Sequence, residues 1–379
     1  MPQAQQAEFI DFAHTQAHIR LVGGKAIVSN ELTNEARQRL IDVQQRGEAL
    51  RAVRAELARR FAGSMTWKMR SGRDYLYRRI GRVEKALGPR STETEVIHAA
   101  HSQGKAAAEH REAGLRRTLE QMARVNRAMG LGRIPNLVAR VLRRLDQAGV
   151  LGETVCVVGT NALFAYEAHA GIRFESDLLA TGDIDIAFDA RRNLRLAAKS
   201  MPNGLLDLLR KIDPSFTIQT AGSFRAVNAS GLMVDLITPE LRDRMATQAA
   251  RQRRLGGAPG IATVDDLEAV GVPRLEMIVD APRFAATAVA EDGLPVWIAA
   301  ADPRWWAAHK LWLASEPTRD PLKRQRDRDQ GHAVAAMLAQ TWGPLDLSDA
   351  ALASIPTMVR RGLRDAIAGA AGNDEKPEW

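Results

Sequence analysis

Residues 155–189, VCVVGTNALFAYEAHAGIRFESDLLATGDIDIAFD, decide how this chain is read. The stretch opens on a short apolar run, Val155-Cys156-Val157-Val158, of the kind that makes a buried strand. Gly159 breaks the run, and Ala162, Leu163, Ala165 and Tyr166 then follow a helical period. Beyond Gly182, the segment Asp183-Ile184-Asp185-Ile186-Ala187-Phe188 alternates acidic or small residues with large apolar ones. Residues two apart on a strand share a face, so Ile184, Ile186 and Phe188 enter a core while Asp183 and Asp185 stand together opposite. Two carboxylates so close repel unless a positive charge lies between them, and a divalent cation with oxygen ligands answers that need.

Working outward, 379 residues exceed what one ordinary core needs, and two or three domains are expected. A composition 45% apolar and 26% charged is that of a globular protein. No segment has the length and apolarity of a membrane span, and the start MPQAQQAEFIDF has no signal-peptide pattern. Cys156 is the single cysteine, which excludes an internal disulfide and a Cys-type zinc site; a cytoplasmic location is the expectation. The net charge is +8, yet residues 51–150 alone hold 22 Lys/Arg against nine Asp/Glu. Such an excess suits a polyanion, nucleic acid first, or else a solvated arginine-rich helical surface.

In chain order, residues 1–62 read as helical, with Phe9, Phe12 and Ala13 early and an amphipathic stretch from Glu31 to Phe61. Residues 64–79 alternate apolar and basic side chains around Ser71-Gly72-Arg73, a hairpin signal. Its aromatics Trp67, Tyr75 and Tyr77, interleaved with Lys68, Arg70, Arg73, Arg78 and Arg79, fit base stacking with phosphate contact, or the apolar side of a small sheet with the arginines on its wet side. Gly88–Ser91 is a turn, and a long helix starts at Thr92, with an interruption expected near Gly104. Gly130-Leu131-Gly132 and Pro135 mark a boundary before a helix from Asn136 to Gly149. Helices are expected at 191–200 and 205–212, strands at 216–220, 224–229 and 232–237, and an arginine- and glycine-rich loop at 240–263. Further strands are expected at 275–279, 285–289 and 296–299, then helices from Asp302 and near Pro321, a last helical pair and a polar tail from Gly372. Asp235, alone in the apolar run Leu232–Ile237, is either a costly buried charge or a ligand at a sheet edge.

A strand, Gly159-Thr160-Asn161 opening a helix, Asp183-x-Asp185 on a strand and Asp235 on a later one: this order resembles the nucleotidyltransferase core of the DNA polymerase β superfamily. The phrases GTNALFAYE, ATGDIDIAFDARR, DPRWWAAHKLWL, DPLKRQRD and WKMRSGRDYLYRR are similar to those of bacterial nucleotidyltransferase-fold proteins, akin to abortive-infection toxins. The resemblance implies an α+β fold in three parts. These are a basic, mainly helical N-terminal domain over 1–132, a catalytic core with a mixed sheet flanked by helices over 133–300, and a helical nucleotide-binding subdomain over 301–379. It also implies transfer of an NMP from an NTP to a hydroxyl, with pyrophosphate released. Asp183, Asp185 and Asp235 would hold two Mg²⁺ ions, or Mn²⁺, and Asp235 would take the hydroxyl's proton. Gly159, Thr160 and Asn161 would meet phosphate, Lys310 the triphosphate with Lys323 and Arg324 assisting, and Asp327 would orient these bases or touch the nucleotide.

Compared with that pattern, Gly171–Thr181 is an insertion and threonine replaces serine after the glycine, leaving the roles of Glu175 and Asp177 open. The basic N-terminal half tilts the acceptor toward RNA, tRNA in particular. The competing readings are a nucleic-acid-binding or toxin–antitoxin partner protein with a vestigial core, and a transferase acting on a protein or small molecule. His309, Tyr166 and the Trp305-Trp306 pair read most simply as packing.

Overall fold

The computed structural model describes residues 17–22, 25–189, 201, 203–240, 266–340, 347–348 and 350–371. Phe9, Phe12 and Ala13, the expected helix at 191–200, residues 241–263 of the expected loop and the tail from 372 lie outside them. The chain runs β1 (Ala17–Val22), β2 (Lys25–Glu31), α1 (Asn34–Arg59), β3 (Ser64–Arg70), β4 (Arg73–Ile80), β5 (Val83–Pro89), α2 (Thr92–Ala128) and α3 (Asn136–Gln147). Next come β6 (Val155–Val157), a 3₁₀ turn (Gly159–Ala162), α4 (Leu163–Ala170), β7 (Ile172–Phe174), α5 (Ser176–Leu179) and β8 (Asp183–Phe188). The remainder is α6 (Gly204–Arg210), β9 (Arg225–Val227), β10 (Met233–Pro239), β11 (Val270–Val272), α7 (Glu276–Asp280), β12 (Arg283–Val289), β13 (Pro295–Ala301), α8 (Pro303–Ser315), α9 (Pro321–Gln340) and α10 (Thr357–Ala371).

The protein is α+β and divides into two compact units. The first comprises the described residues up to 37, 140–286 and those from 298 on; the second, 38–139 and 287–297. The main mixed sheet has the order β11-β10-β8-β6-β13-β12, with β9 paired to β10, and helices flank it. β10 runs parallel to β8, and β6 runs antiparallel to β8. The alternation in β8 is realised, since Ile184, Ile186 and Phe188 are fully buried while Asp183 and Asp185 stay partly accessible. α3 buries Val138, Val141, Leu142 and Leu145, an i, i+3, i+4, i+7 stripe.

Residues 17–22 and 25–31, expected to be helical, form the antiparallel strands β1 and β2, and β2 pairs in turn with β7. Ile19, Leu21, Ile27 and Val28 around Gly23-Gly24 carry a strand-and-turn signal that outweighs helical propensity. The insertion at 171–181 supplies β7 and α5, and thereby an edge for those strands; Glu175 and Asp177 are exposed. Residues 275–279, expected as a strand, contribute instead to the short helix α7, whose Met277, Ile278 and Val279 are buried. A short apolar run does not by itself separate a buried strand from a buried helix turn. The strand expected at 216–220 is reduced to a single bridge between Thr217 and Val227.

In the second unit, β3, β4 and β5 form an antiparallel meander, one strand more than the hairpin expected from sequence. Ser71 and Gly72 both have positive φ (47° and 76°), the requirement of a two-residue type I′ turn. α2 runs unbroken through Gly104, because that glycine serves packing: a Cβ there would stand 2.5 Å from the Phe61 ring. Ser91 caps α2 reciprocally with Thr94. Among the described residues no helix is long and apolar enough to cross a membrane.

Candidate active site

The site is built on β8 and its neighbour β10. In their parallel register Asp235 lies beside Asp185, and Met233 beside Asp183. One oxygen from each of Asp183, Asp185 and Asp235 lies within 4.8 Å of the others. Three acids that are 52 residues apart at the extremes therefore converge because two strands pair in register.

Burial, then the neighbouring Asp183 and Asp235, push the Asp185 carboxyl up to about 6; Lys310 and Arg225 pull the other way. Asp235 is buried, and both its oxygens are engaged by Arg225, Nε to Oδ1 at 2.7 Å and Nη2 to Oδ2 at 2.6 Å. Arg225 reaches it from β9, whose antiparallel register sets Arg225 directly opposite Asp235. Asp183 accepts from Thr181 Oγ1 on its side chain and from Asn161 Nδ2 on its backbone oxygen at 2.8 Å.

The glycine turn approaches this group closely. Val158 N–H donates to Asp185 O at 3.0 Å, which brings Gly159 over the carboxylate. Gly159 has φ +62°, and a Cβ there would lie 2.1 Å from Asp185 Oδ2, so any other residue would displace that carboxylate. Its carbonyl accepts from Trp306 Nε1 at 3.1 Å. Thr160 Oγ1 accepts from Arg326 Nη2 at 2.9 Å and Gln330 Nε2 at 3.0 Å, while Asn161 Oδ1 is buried without a hydrogen-bond partner. Both side chains expected to meet phosphate are thus engaged with the protein: Thr160 with α9, and Asn161 through its amide nitrogen with β8.

Lys310 on α8 is buried, donates to Asp327 Oδ1 at 2.7 Å and lies 5.3 Å from the centre of the Trp306 ring. Arg319 binds the other oxygen of Asp327 at 2.9 Å. Burial pulls the Lys310 ammonium down from its usual range, while Asp327 and, less strongly, Asp185 push it back up. The structure therefore groups Lys310 and Asp327 beside the carboxylates. Lys323 is exposed in the first turn of α9, and Arg324 is half-buried with Nε unpartnered; neither bonds to the acidic group. His309 is buried and held neutral, its pKa pulled down to about 3 by desolvation, with Lys310 adding to the effect. Tyr166 is packing, as read from sequence: it is fully buried and donates to Ala301 O at 2.8 Å.

A family model described as Nucleotidyltransferase matches residues 136–355, more than half of the chain. The chain belongs to that family. It is also similar to the crystal structure of an antigenic nucleotidyltransferase-like protein from Paracoccidioides brasiliensis, at 15% identity over 61% of this chain and 90% of that one. The TM-score of that comparison is 0.28, too low to carry any argument. No curated protein matches the chain.

Four residues of this nucleotidyltransferase escaped the sequence reading: Arg225, Trp306 as a donor, Arg326 and Gln330. Three carried a usable signal. Arg326 and Gln330 are i, i+4 neighbours on α9 and flank Asp327, so the helical period that singles out Asp327 also points to them. Arg225 is found by centring a hairpin on Ser230, which sets Met233 against Val227 and Asp235 against Arg225.

Proposed function

We propose that this nucleotidyltransferase moves an NMP from an NTP to a hydroxyl of RNA, tRNA being the first candidate, with Asp183, Asp185 and Asp235 holding two Mg²⁺ ions. The single observation that carries the reading is the convergence of the three carboxylates within 4.8 Å. The donor set fits such ions: it is all oxygen, it concentrates negative charge, and burial beside Asp183 and Asp235 raises the Asp185 carboxyl. When bound, Mg²⁺ supplies charge neutralisation on the triphosphate and acidifies the attacking hydroxyl.

The remaining steps belong to the chain. The acceptor oxygen forms a bond to the α-phosphorus, the bond from that phosphorus to the bridging oxygen breaks, and pyrophosphate leaves with the electron pair. Asp235 takes the hydroxyl proton, and Arg225 fixes the direction of its carboxylate. Lys310, held by Asp327, whose other oxygen Arg319 binds, provides a pre-positioned positive charge for the triphosphate. Backbone N–H groups of the Gly159–Ala162 turn meet phosphate oxygens, with Arg326 holding Thr160 in place. Lys323, exposed at the start of α9, and Arg324 beside it add positive charge that assists Lys310 at the triphosphate.

The acceptor is assigned to RNA on charge: 22 Lys/Arg against nine Asp/Glu over residues 51–150 favour a polyanion. The test is incubation with α-labelled NTPs, Mg²⁺ and total tRNA, with label followed in RNA and in protein separately. Wild type should label RNA, and Asp185→Ala should label nothing. Label in protein alone would overturn the acceptor, and no transfer to any acceptor offered would overturn the activity.

A further inference from the structure

The second unit carries a surface that the transfer chemistry does not use. Cross-strand register in the β3–β4–β5 sheet sorts its side chains onto two faces. Trp67 opposes Leu76 and Met65 opposes Arg78 on one face; Thr66 opposes Tyr77, Lys68 opposes Tyr75 and Arg70 opposes Arg73 on the other. The first face is covered, since Leu76 is fully buried and the Trp67 ring lies 5.7 Å from His98 of α2.

The second face therefore presents Tyr75 and Tyr77, two positions apart on β4, bordered by Lys68, Arg70 and Arg73. Lys68 Nζ and the Arg70 guanidinium stand 5.4 and 5.9 Å from the centre of the Tyr77 ring. Glu84 is the acid on this face, and it is spent on Lys68 at 2.5 Å. Arg70 and Arg73, directly opposed across the turn, have no carboxylate partner among the described residues, and neither has Arg79. Like charges facing each other across a hairpin cost stability, and neither guanidinium has a carboxylate among the described residues to offset that cost.

We propose that this face binds single-stranded RNA, Tyr75 and Tyr77 stacking successive bases while Lys68, Arg70, Arg73 and Arg79 take the phosphates. Rings interleaved with cations, of which Arg70, Arg73 and Arg79 have no carboxylate partner among the described residues, fit a strand whose bases are free to stack and whose backbone is anionic. A helix-covered back face keeps the platform rigid. The inference deepens the RNA reading given above and rests on it for the partner, though not for the chemistry.

The test uses the full chain and a labelled single-stranded oligouridylate, with affinity read by fluorescence anisotropy. Tyr77→Ala should weaken binding about tenfold or more, and Tyr77→Phe should leave it near wild type. Raising salt from about 50 to about 200 mM should weaken wild-type binding about fiftyfold if four phosphates are contacted, and Arg70→Ala with Arg73→Ala should reduce the log–log slope by about 1.4. Arg70 and Arg73 flank an exposed turn, so this pair reports even if a tyrosine variant fails to fold. Unchanged affinity in both sets of variants, equal affinity for duplex RNA, or displacement of the RNA by polyglutamate would overturn the proposal. Asp185→Ala separates the two readings, because it should abolish transfer and keep binding. RNA bound through these tyrosines but never labelled would sink the acceptor, not the surface; RNA labelled with binding indifferent to them would do the reverse.

Discussion

At Gly159 the chain has no freedom to change. Any side chain would enter the space of Asp185 Oδ2, and the φ of +62° adds backbone strain to the clash. Asp185 would yield first, being the flexible end, so Gly159→Ala should lower the turnover of NMP transfer about a hundredfold while the thermal midpoint falls only modestly. Steady-state kinetics beside a melting curve would show the split; an active alanine variant would mean that the carboxylate position is not critical. Asp185 itself sets a pH signature. Its carboxyl is raised from 3.8 to about 6, so between those values the folded protein binds more protons than the unfolded one. Stability of the metal-free protein should therefore fall as pH rises from about 4 to about 6 and then level off. Asp185→Asn should remove that slope, leaving the variant the more stable form above pH 6 in calorimetry with chelator. Equal slopes in the two proteins would disprove the assignment.

Among the elements, α9 governs the cationic side of the site. Asp327 is buried and shared by Lys310 and Arg319, so removing its charge leaves a buried ammonium unpaired. Asp327→Asn should cost about 3–5 kcal/mol of stability, and adding Lys310→Met should recover part of it. Denaturant titration of the two variants measures both numbers, and additive losses would exclude the coupling. The β9–β10 hairpin governs the anionic side. Arg225→Ala strips Asp235 of its partner and leaves three carboxylates together without a neighbouring guanidinium. The metal-free protein should then melt lower, and Mg²⁺ should restore more of the loss than it adds to wild type. A thermal-shift series with and without Mg²⁺ reads this directly, and equal Mg²⁺ shifts would show that Arg225 and the cation act independently.

For the molecule as a whole, ligand binding to the folded form alone should raise its stability by about 2.7 kcal/mol at a hundredfold excess over Kd. Mg²⁺ with an NTP should therefore raise the melting temperature of wild type and leave that of Asp183→Ala almost unmoved. Much of this arrangement was legible beforehand. The strict alternation of Asp183–Phe188 fixed both the strand and its acidic face, and the stripe of α3 fixed its buried side, because local period and burial are written in the same residues. Residues 17–22, 25–31 and 275–279 were misread, since short apolar runs take strand or helix according to what lies beside them. Arg225 was missed for a related reason: it acts only through the strand opposite. The order of Gly159, Asp183, Asp185 and Asp235 was sufficient by itself to indicate the class of chemistry. Only the tertiary structure decided that Arg225 engages both oxygens of Asp235, that α9 rather than solvent holds Thr160, and which face of β3–β5 is left open. Pairing register and helix packing are long-range choices, made by the whole core at once, and no local run of side chains encodes them.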